Sequence, residues 1–156
     1  MFKKILIPVD GSDLALKAAE TGVKLASEVG AAVVFLHATA PYIAPYAAEI
    51  SMVDDKTQMM FEKSSADASM RILDAAKKIA DAADVASETV TAVNSRAELF
   101  IAKTVKDRGC DLVVIATHGR GAIGRFVMGS VTTRLLPISP VPVLVYRDDS
   151  MNDDGD

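Results

Sequence analysis

The sequence predicts an α/β domain built on a mostly parallel sheet with helices on both faces. Three observations carry that expectation. Short apolar bursts alternate with charged, alanine-rich stretches along almost the whole chain, the order that strands alternating with helices would give. The first burst, KKILIPVD from Lys3, is continuous rather than alternating, as in a strand covered on both faces. The second burst starts directly after a glycine that closes the first helical stretch, which leaves only the tight link of a βαβ unit. With 156 residues, 50% of them hydrophobic, the chain suffices for one buried core and is short for two.

The elements follow in order. After Gly11 and Ser12, DLALKAAETGVKLASEVG places Leu14, Ala18, Val23, Leu25 and Val29 at helical spacing, with Ser12 or Asp13 as cap and Gly30 as stop. Ala31 to Thr39 is β-branched and apolar and reads as the second strand. Residues Pro41 to Lys56 contain prolines and tyrosines without a defensible period and read as a long loop or lid. Thr57 to Ala83 is a long amphipathic helix, in which Met59, Met60 and Met70 are expected to fill the core. A third strand (Val85 to Val93), a helix from Arg96 to Lys106 capped near Ser95, and strands at Leu112 to Thr117 and Val141 to Tyr146 complete five strands.

Composition excludes several classes. A net charge of −4 without any block of lysine or arginine argues against nucleic acid as a partner, since clustered positive charge supplies most of that affinity. No apolar run approaches the roughly 20 residues of a membrane span, and MFKKILIPVD lacks the pattern of a secretory signal. A cytoplasmic location is therefore expected. The single cysteine, Cys110, cannot form an internal disulfide and reads as a small residue packed at a strand start. The stretch 148–156 holds five aspartates and is expected to be a disordered acidic tail, leaving 1–147 as the domain.

Open parallel sheets bind ligands at the carboxyl ends of strands where the strand order reverses. At the end of the first strand, Pro8-Val9-Asp10-Gly11-Ser12 gathers a carboxylate, a flexible glycine and a helix cap. Asp10 suits a ribose hydroxyl or a metal there, or caps the helix together with Ser12. After the fourth strand, residues 116–132 carry Gly119, Gly121, Gly124 and Gly129 with Arg120 and Arg125 and a helix start at Gly129-Ser130. Glycines let backbone amides approach an anion, and the first amides of a helix favour negative charge. Ser130 and Val131 offer such amides, and Ser130 and Thr132 offer hydroxyls. No Gly-Lys-Ser/Thr ends this loop and no G-x-G-x-x-G follows the first strand, so it is neither a Walker loop nor the dinucleotide fingerprint. The spacing Gly119, Gly121, Gly124 fits the latter by count alone. His37 and His118 are the only histidines and make no metal site by themselves. No pair of groups reads as a catalytic base and nucleophile, so no catalytic residue is assigned.

KKILIPVDGS, VVFLHA and CDLVVIATHGRGAIGRFVMGSVTTRLLPISPVPVLVYR, in this order across nearly the whole chain, resemble the universal stress protein family. The resemblance implies a single Rossmann-like domain with a five-stranded parallel sheet in the order 3-2-1-4-5, dimerising through the last strand. Its ATP-binding members share G-x2-G-x9-G-[ST], against which this chain sets Ala116-x2-Gly119-x9-Gly129-Ser130. The alanine adds one methyl group beside the expected nucleotide, implying weakened or altered binding rather than a lost site. Carried over, Pro8 lines the adenine pocket, Asp10 holds the ribose or assists a metal, and the backbone of Ala38 reads the adenine edge. Gly119, Arg120, Gly129, Ser130, Val131 and Thr132 surround the phosphates, and Ala116, Thr117 and His118, at the entry to the loop, are counted among the nucleotide-binding residues with them.

The resemblance thus implies a homodimer joined through Val141 to Tyr146 that binds ATP, with magnesium as the accompanying ion, and acts as a regulatory or protective stress protein with at most slow hydrolysis. Two alternatives stand beside it: a dimeric protein-interaction module of the same fold that binds no nucleotide, which Ala116 favours, and a true nucleotide-processing enzyme. The protein partner is not legible.

Overall fold

In the computed structural model, residues 1–43, 55–118 and 128–148 are described. They form β1 (Lys4–Pro8), α1 (Asp13–Val29), β2 (Ala32–Thr39), α2 (Asp55–Ala82), β3 (Ser87–Val93), α3 (Ala97–Arg108), β4 (Leu112–Ala116), α4 (Ser130–Leu135) and β5 (Val143–Tyr146). All strands are parallel and the sheet order is β3-β2-β1-β4-β5.

Strand alternation sends successive side chains to opposite faces and so makes two cores. Ile5, Ile7, Val33, Phe35, Leu112 and Val114 face α1 and α2, where they meet Val23, Ala26, Leu73 and Ala76. Leu6, Val34, Leu36, Val113 and Ile115 face the other way, onto Ile101 and Val105 of α3 and Leu135 of α4. The continuous apolar runs of β1 and β4 are thus explained: both of their faces are covered.

Helix α1 begins as its sequence predicts. The Ser12 hydroxyl accepts from the amide of Ala15 at 3.2 Å, and the helix stops at Gly30, whose φ of 69° is the left-handed conformation that glycine adopts without strain. Midway along, Gly22 lies so close to the sheet that a Cβ there would be 2.6 Å from Ile7 Cδ1 and 3.4 Å from Val114 Cβ.

Several expectations are corrected. Met59, Met60 and Met70 are not core: they are 68%, 65% and 61% exposed, and α2 buries Ser69, Leu73, Ala76 and Ala80 instead. The α3 cap is not Ser95. Arg96 occupies the cap position without a side-chain cap bond, and its amide donates to Asn94 Oδ1 at 2.8 Å. Strand β3 begins two residues later than expected, because the amide of Val85 turns back to the Ala80 carbonyl at 2.9 Å. Strand β5 begins at Val143: Pro142 has no amide to donate, although its carbonyl accepts from Val113 at 3.0 Å. Cys110 is buried, and burial pushes its thiol up to about 11, which keeps it protonated and unreactive near neutrality.

The acidic stretch starts with a paired residue, since Asp148 forms an ion pair with Lys17 of α1; residues 149–156 and most of the expected lid, 44–54, lie outside the described residues.

Candidate functional site

Strand β1 lies between β2 and β4. The chain leaves it through α1 toward β2, and α3 later returns it to β4 on the other side. The carboxyl edge between β1 and β4 is therefore where strand order reverses, and connections that diverge there leave a crevice.

On the β1 side, Val9 donates its amide to Leu36 at 2.8 Å and Asp10 follows. Asp10 Oδ1 accepts from the Ser12 amide at 2.9 Å, so the carboxylate shapes the turn into α1, and Gly11 between them has a φ of 82°. His37 Nδ1 lies 2.7 Å from the Val9 carbonyl, and a carbonyl can only accept, so this nitrogen carries the proton. His37 is 8% exposed and ties the end of β1 to β2. Strand β2 runs on past the last β1 pair, Pro8 with Leu36, so Ala38 stands beyond β1 at the same edge.

On the β4 side, the chain leaves through Ala116, Thr117 and His118 and comes back onto that segment at Gly129. The Gly129 amide donates to the Thr117 carbonyl at 2.6 Å. A Cβ on Gly129 would sit 3.0 Å from His118 Cα and 3.2 Å from the Thr117 carbonyl oxygen, so close a return to backbone that a side chain fits only if the backbone gives way by a few tenths of an ångström. Helix α4 starts at the next residue. The first amides of a helix, here those of Ser130 and Val131, have no carbonyl of their own helix to reach. Thr117 Oγ1 lies 3.2 Å from His118 Nδ1. Gly119, Arg120 and Arg125 lie outside the described residues.

One hydroxyl expected among the phosphate-facing groups points elsewhere. Thr132 is buried and its Oγ1 donates to the Ala116 carbonyl at 2.8 Å, which fastens α4 to the end of β4. The spacing of Thr132 and Leu135, three apart on a helix and both buried, is the sequence signal for that inward face. Ala116 is also buried, and alternation along β4 sets its methyl on the face of Leu112 and Val114, the side of α1. The methyl therefore points away from α4.

A buried carboxylate on α3 was not singled out from the sequence. The Glu98 side chain is 2% exposed and pairs with Arg96 Nε at 3.0 Å. Burial pushes its carboxyl up, but its own backbone amide, Arg96 and Arg134 of α4 together pull it below its ordinary value of 4.5. A depressed folded-state value stabilises the fold above the unfolded value and loses that contribution as pH falls through the folded one. Acid unfolding below about pH 4.5 should accordingly be shallower in Glu98→Gln than in the parent chain. Melting curves across this range check it, and parallel pH profiles would refute it.

No group of three or more histidine, cysteine, aspartate or glutamate side chains that could hold a metal occurs among the described residues. No described helix is long and apolar enough to cross a membrane.

Residues 1–147 match the Universal stress protein family. The chain belongs to that family. Universal stress protein relatives of similar length include YxiE of Bacillus subtilis, 29% identical over 94% of this chain and 100% of the relative. One from Thermus aquaticus is 31% identical, again over 94% and 100%. Among solved structures, the universal stress protein UspA from Lactobacillus plantarum superposes with a TM-score of 0.71 at 23% identity, covering 93% of this chain and 97% of that one. Three further universal stress protein structures of the same fold contain cAMP, dAMP (Archaeoglobus fulgidus) and AMP (Arabidopsis thaliana), with TM-scores of 0.68, 0.64 and 0.67. Their identities to this chain are 22%, 18% and 16%, and they cover 94%, 93% and 97% of it and 97%, 98% and 96% of their own chains.

Proposed function

We propose that this universal stress protein binds an adenine nucleotide, ATP with magnesium, in the crevice between β1 and β4, and acts as a nucleotide-dependent regulatory or protective protein of the cytoplasm. The observation that carries the reading is the return of the chain at Gly129. It brings a helix start against the end of β4 with no side chain between, at the edge where the order of parallel strands reverses. The adenine nucleotides in the three related structures support the same ligand class.

In this reading the amides of Ser130 and Val131 and the Ser130 hydroxyl hold phosphate oxygens, with Gly119 and Arg120 completing the cradle. Asp10 holds the ribose or assists the magnesium while it shapes its turn. Pro8 lines the adenine pocket and the backbone of Ala38 reads the adenine edge. Thr132 serves as an anchor rather than a ligand. The family's nucleotide domain is 1–147, with 148–156 as an acidic tail. Hydrolysis is at most slow, because phosphoryl transfer demands positioned charge and metal around the leaving group, and this reading gives Asp10 a ribose or magnesium contact rather than the role of a base. The β5 edge, where Leu144 is 38% exposed, is the surface through which two copies pair, since an unpaired apolar edge is a template for another strand.

The test is a calorimetric titration of unfolded and refolded protein, freed of any co-purified nucleotide, with ATP and magnesium and separately with AMP. Saturable binding of one nucleotide per chain is the expected result. Heat from AMP alone would correct the ligand. Absence of heat up to millimolar concentrations of both would sink the proposal in favour of a protein-interaction module marked by Ala116.

A further inference from the structure

Helix α2 covers the sheet with only half of its length. The face that packs inward through Leu73, Ala76 and Ala80 continues toward the N-terminus, at steps of three and four, through Ser69, Ala66 and Ser65. These side chains are too small to fill the space over β3. Strand β3 registers the deficit: Thr89, Thr91 and Val93, on the face turned to α2, are all exposed. Between the two lies a cleft of about 810 Å³, a volume within the range of small-molecule sites. Ser69 closes its own polar demand by donating to the Ser65 carbonyl at 2.9 Å, so the wall there presents methylene rather than an unpaired hydroxyl.

The lining has a distinct chemistry. Its apolar surface comes from Phe61, Met70, Leu73 and Val93, with Tyr42 from the segment after β2. The rings of Tyr42 and Phe61 are 5.1 Å apart and inclined at 52°, two π faces at an angle rather than a closed stack. The charges in the lining are those of Glu62 and Asp74, and no lysine or arginine lines the cleft among the described residues. The hydrogen-bond partner of Glu62 is neutral: its carboxylate accepts from Gln58 Nε2 at 2.9 Å. Tilted aromatic faces beside a carboxylate, here Glu62, attract an organic ammonium group through the ring quadrupoles and through charge, while the apolar walls take up a hydrocarbon body.

We propose that the cleft between α2 and β3 is a second ligand site, separate from the β1–β4 crevice, for a small organic cation with an apolar tail. The ammonium group sits against Tyr42, Phe61 and Glu62 at one end of the cleft, and the tail lies over Ala66, Met70 and Val93 toward Asp74.

The probe is decyltrimethylammonium below its micelle-forming concentration, with decyl sulfate as a counterpart of equal tail and opposite charge. Binding is read by calorimetry and by the NMR shift of the Met70 methyl in the full chain. The cation should bind saturably, one per chain, at least about tenfold more tightly than the anion. Glu62→Gln, conservative and on the helix surface, should weaken the cation about twofold or more and leave the anion unchanged or improved, while Asp74→Asn, remote from the ammonium group, should have a smaller effect. Ala66→Trp, which puts an indole in the cleft, should abolish binding, with circular dichroism reporting the fold. Equal affinity for both probes, no shift at Met70, or binding that survives in a folded Ala66→Trp protein would each overturn the proposal.

Discussion

Gly129→Val is expected to weaken nucleotide binding by at least about a hundredfold, which corresponds to losing two or three hydrogen bonds to charged phosphate. The reason is geometric. A single added Cβ would already stand 3.0 Å from a backbone carbon of His118 and 3.2 Å from the Thr117 carbonyl oxygen, and backbone cannot swing aside as a side-chain tip can. Valine adds two methyl groups to that conflict, so α4 must lift off the end of β4 and carry the Ser130 and Val131 amides with it. Gly129→Ala should show a smaller loss in the same direction. The damage is local to a six-residue helix, so circular dichroism should still report a folded chain. Titration calorimetry on both variants checks the expectation, and parental affinity in a folded Gly129→Val protein would show that the phosphates lie elsewhere.

Gly22→Val should lower stability by about 2 to 3 kcal/mol, the upper part of the range for overpacking a tight core. At this chain length that is a fall of about 5 to 10 °C in melting temperature. Glycine within a helix ordinarily costs about 1 kcal/mol relative to alanine, so its presence in α1 calls for a compensating contact. That contact is the approach to β1 and β4: the position a Cβ would take is 2.6 Å from Ile7 Cδ1. Ile7 is fully buried, so its terminal methyl can yield only by repacking the core around it. Gly22→Ala sets the gain in helix propensity against the same crowding and should be milder than valine. Urea unfolding of the two variants measures the difference, and a valine variant as stable as the parent would mean that α1 can shift outward freely.

The central strands were legible because burial on both faces leaves no ambiguity: Ile5, Leu6 and Ile7 are all fully covered, and no alternating polar residue interrupts them. Helix α1 was legible because Ser12 and Gly30 carry its capping chemistry in their own side chain and backbone. The family resemblance supplied the strand order. Helix α2 was harder. Its methionines are apolar and its Ser65 and Ser69 polar, yet Ser69 is buried and Met59 and Met60 are not, because the helix turns its small-residue face toward the sheet. Hydrophobicity alone reads that orientation backwards. The α3 start falls one residue later than expected, with Arg96 at the cap and no side-chain cap bond; the Asn94 side chain instead holds the turn that precedes the helix by accepting from the Arg96 amide.

At the site, sequence reasoning located the right edge of the sheet but not the direction of individual groups. The Thr132 hydroxyl bonds the strand it follows, and Asp10 is occupied with its own turn. The His37 contact with Val9 joins residues that are distant in the chain, and no local pattern announces it. The cleft over β3 arises from what α2 lacks, and missing volume leaves no motif.

The seat of Gly129 has a mechanical side. Its amide bonds the Thr117 carbonyl, and the amide of Thr117 in turn bonds the carbonyl of Tyr146 on the outermost strand. Two hydrogen bonds through one residue, Thr117, thus join the first residue before α4 to the rim of the sheet, and the Thr132 hydroxyl grips the preceding carbonyl as a second fastening. A tug at the start of α4 is shared by β5 or breaks a link in this short chain, so the crevice and the sheet's outer border behave as one stiff lever.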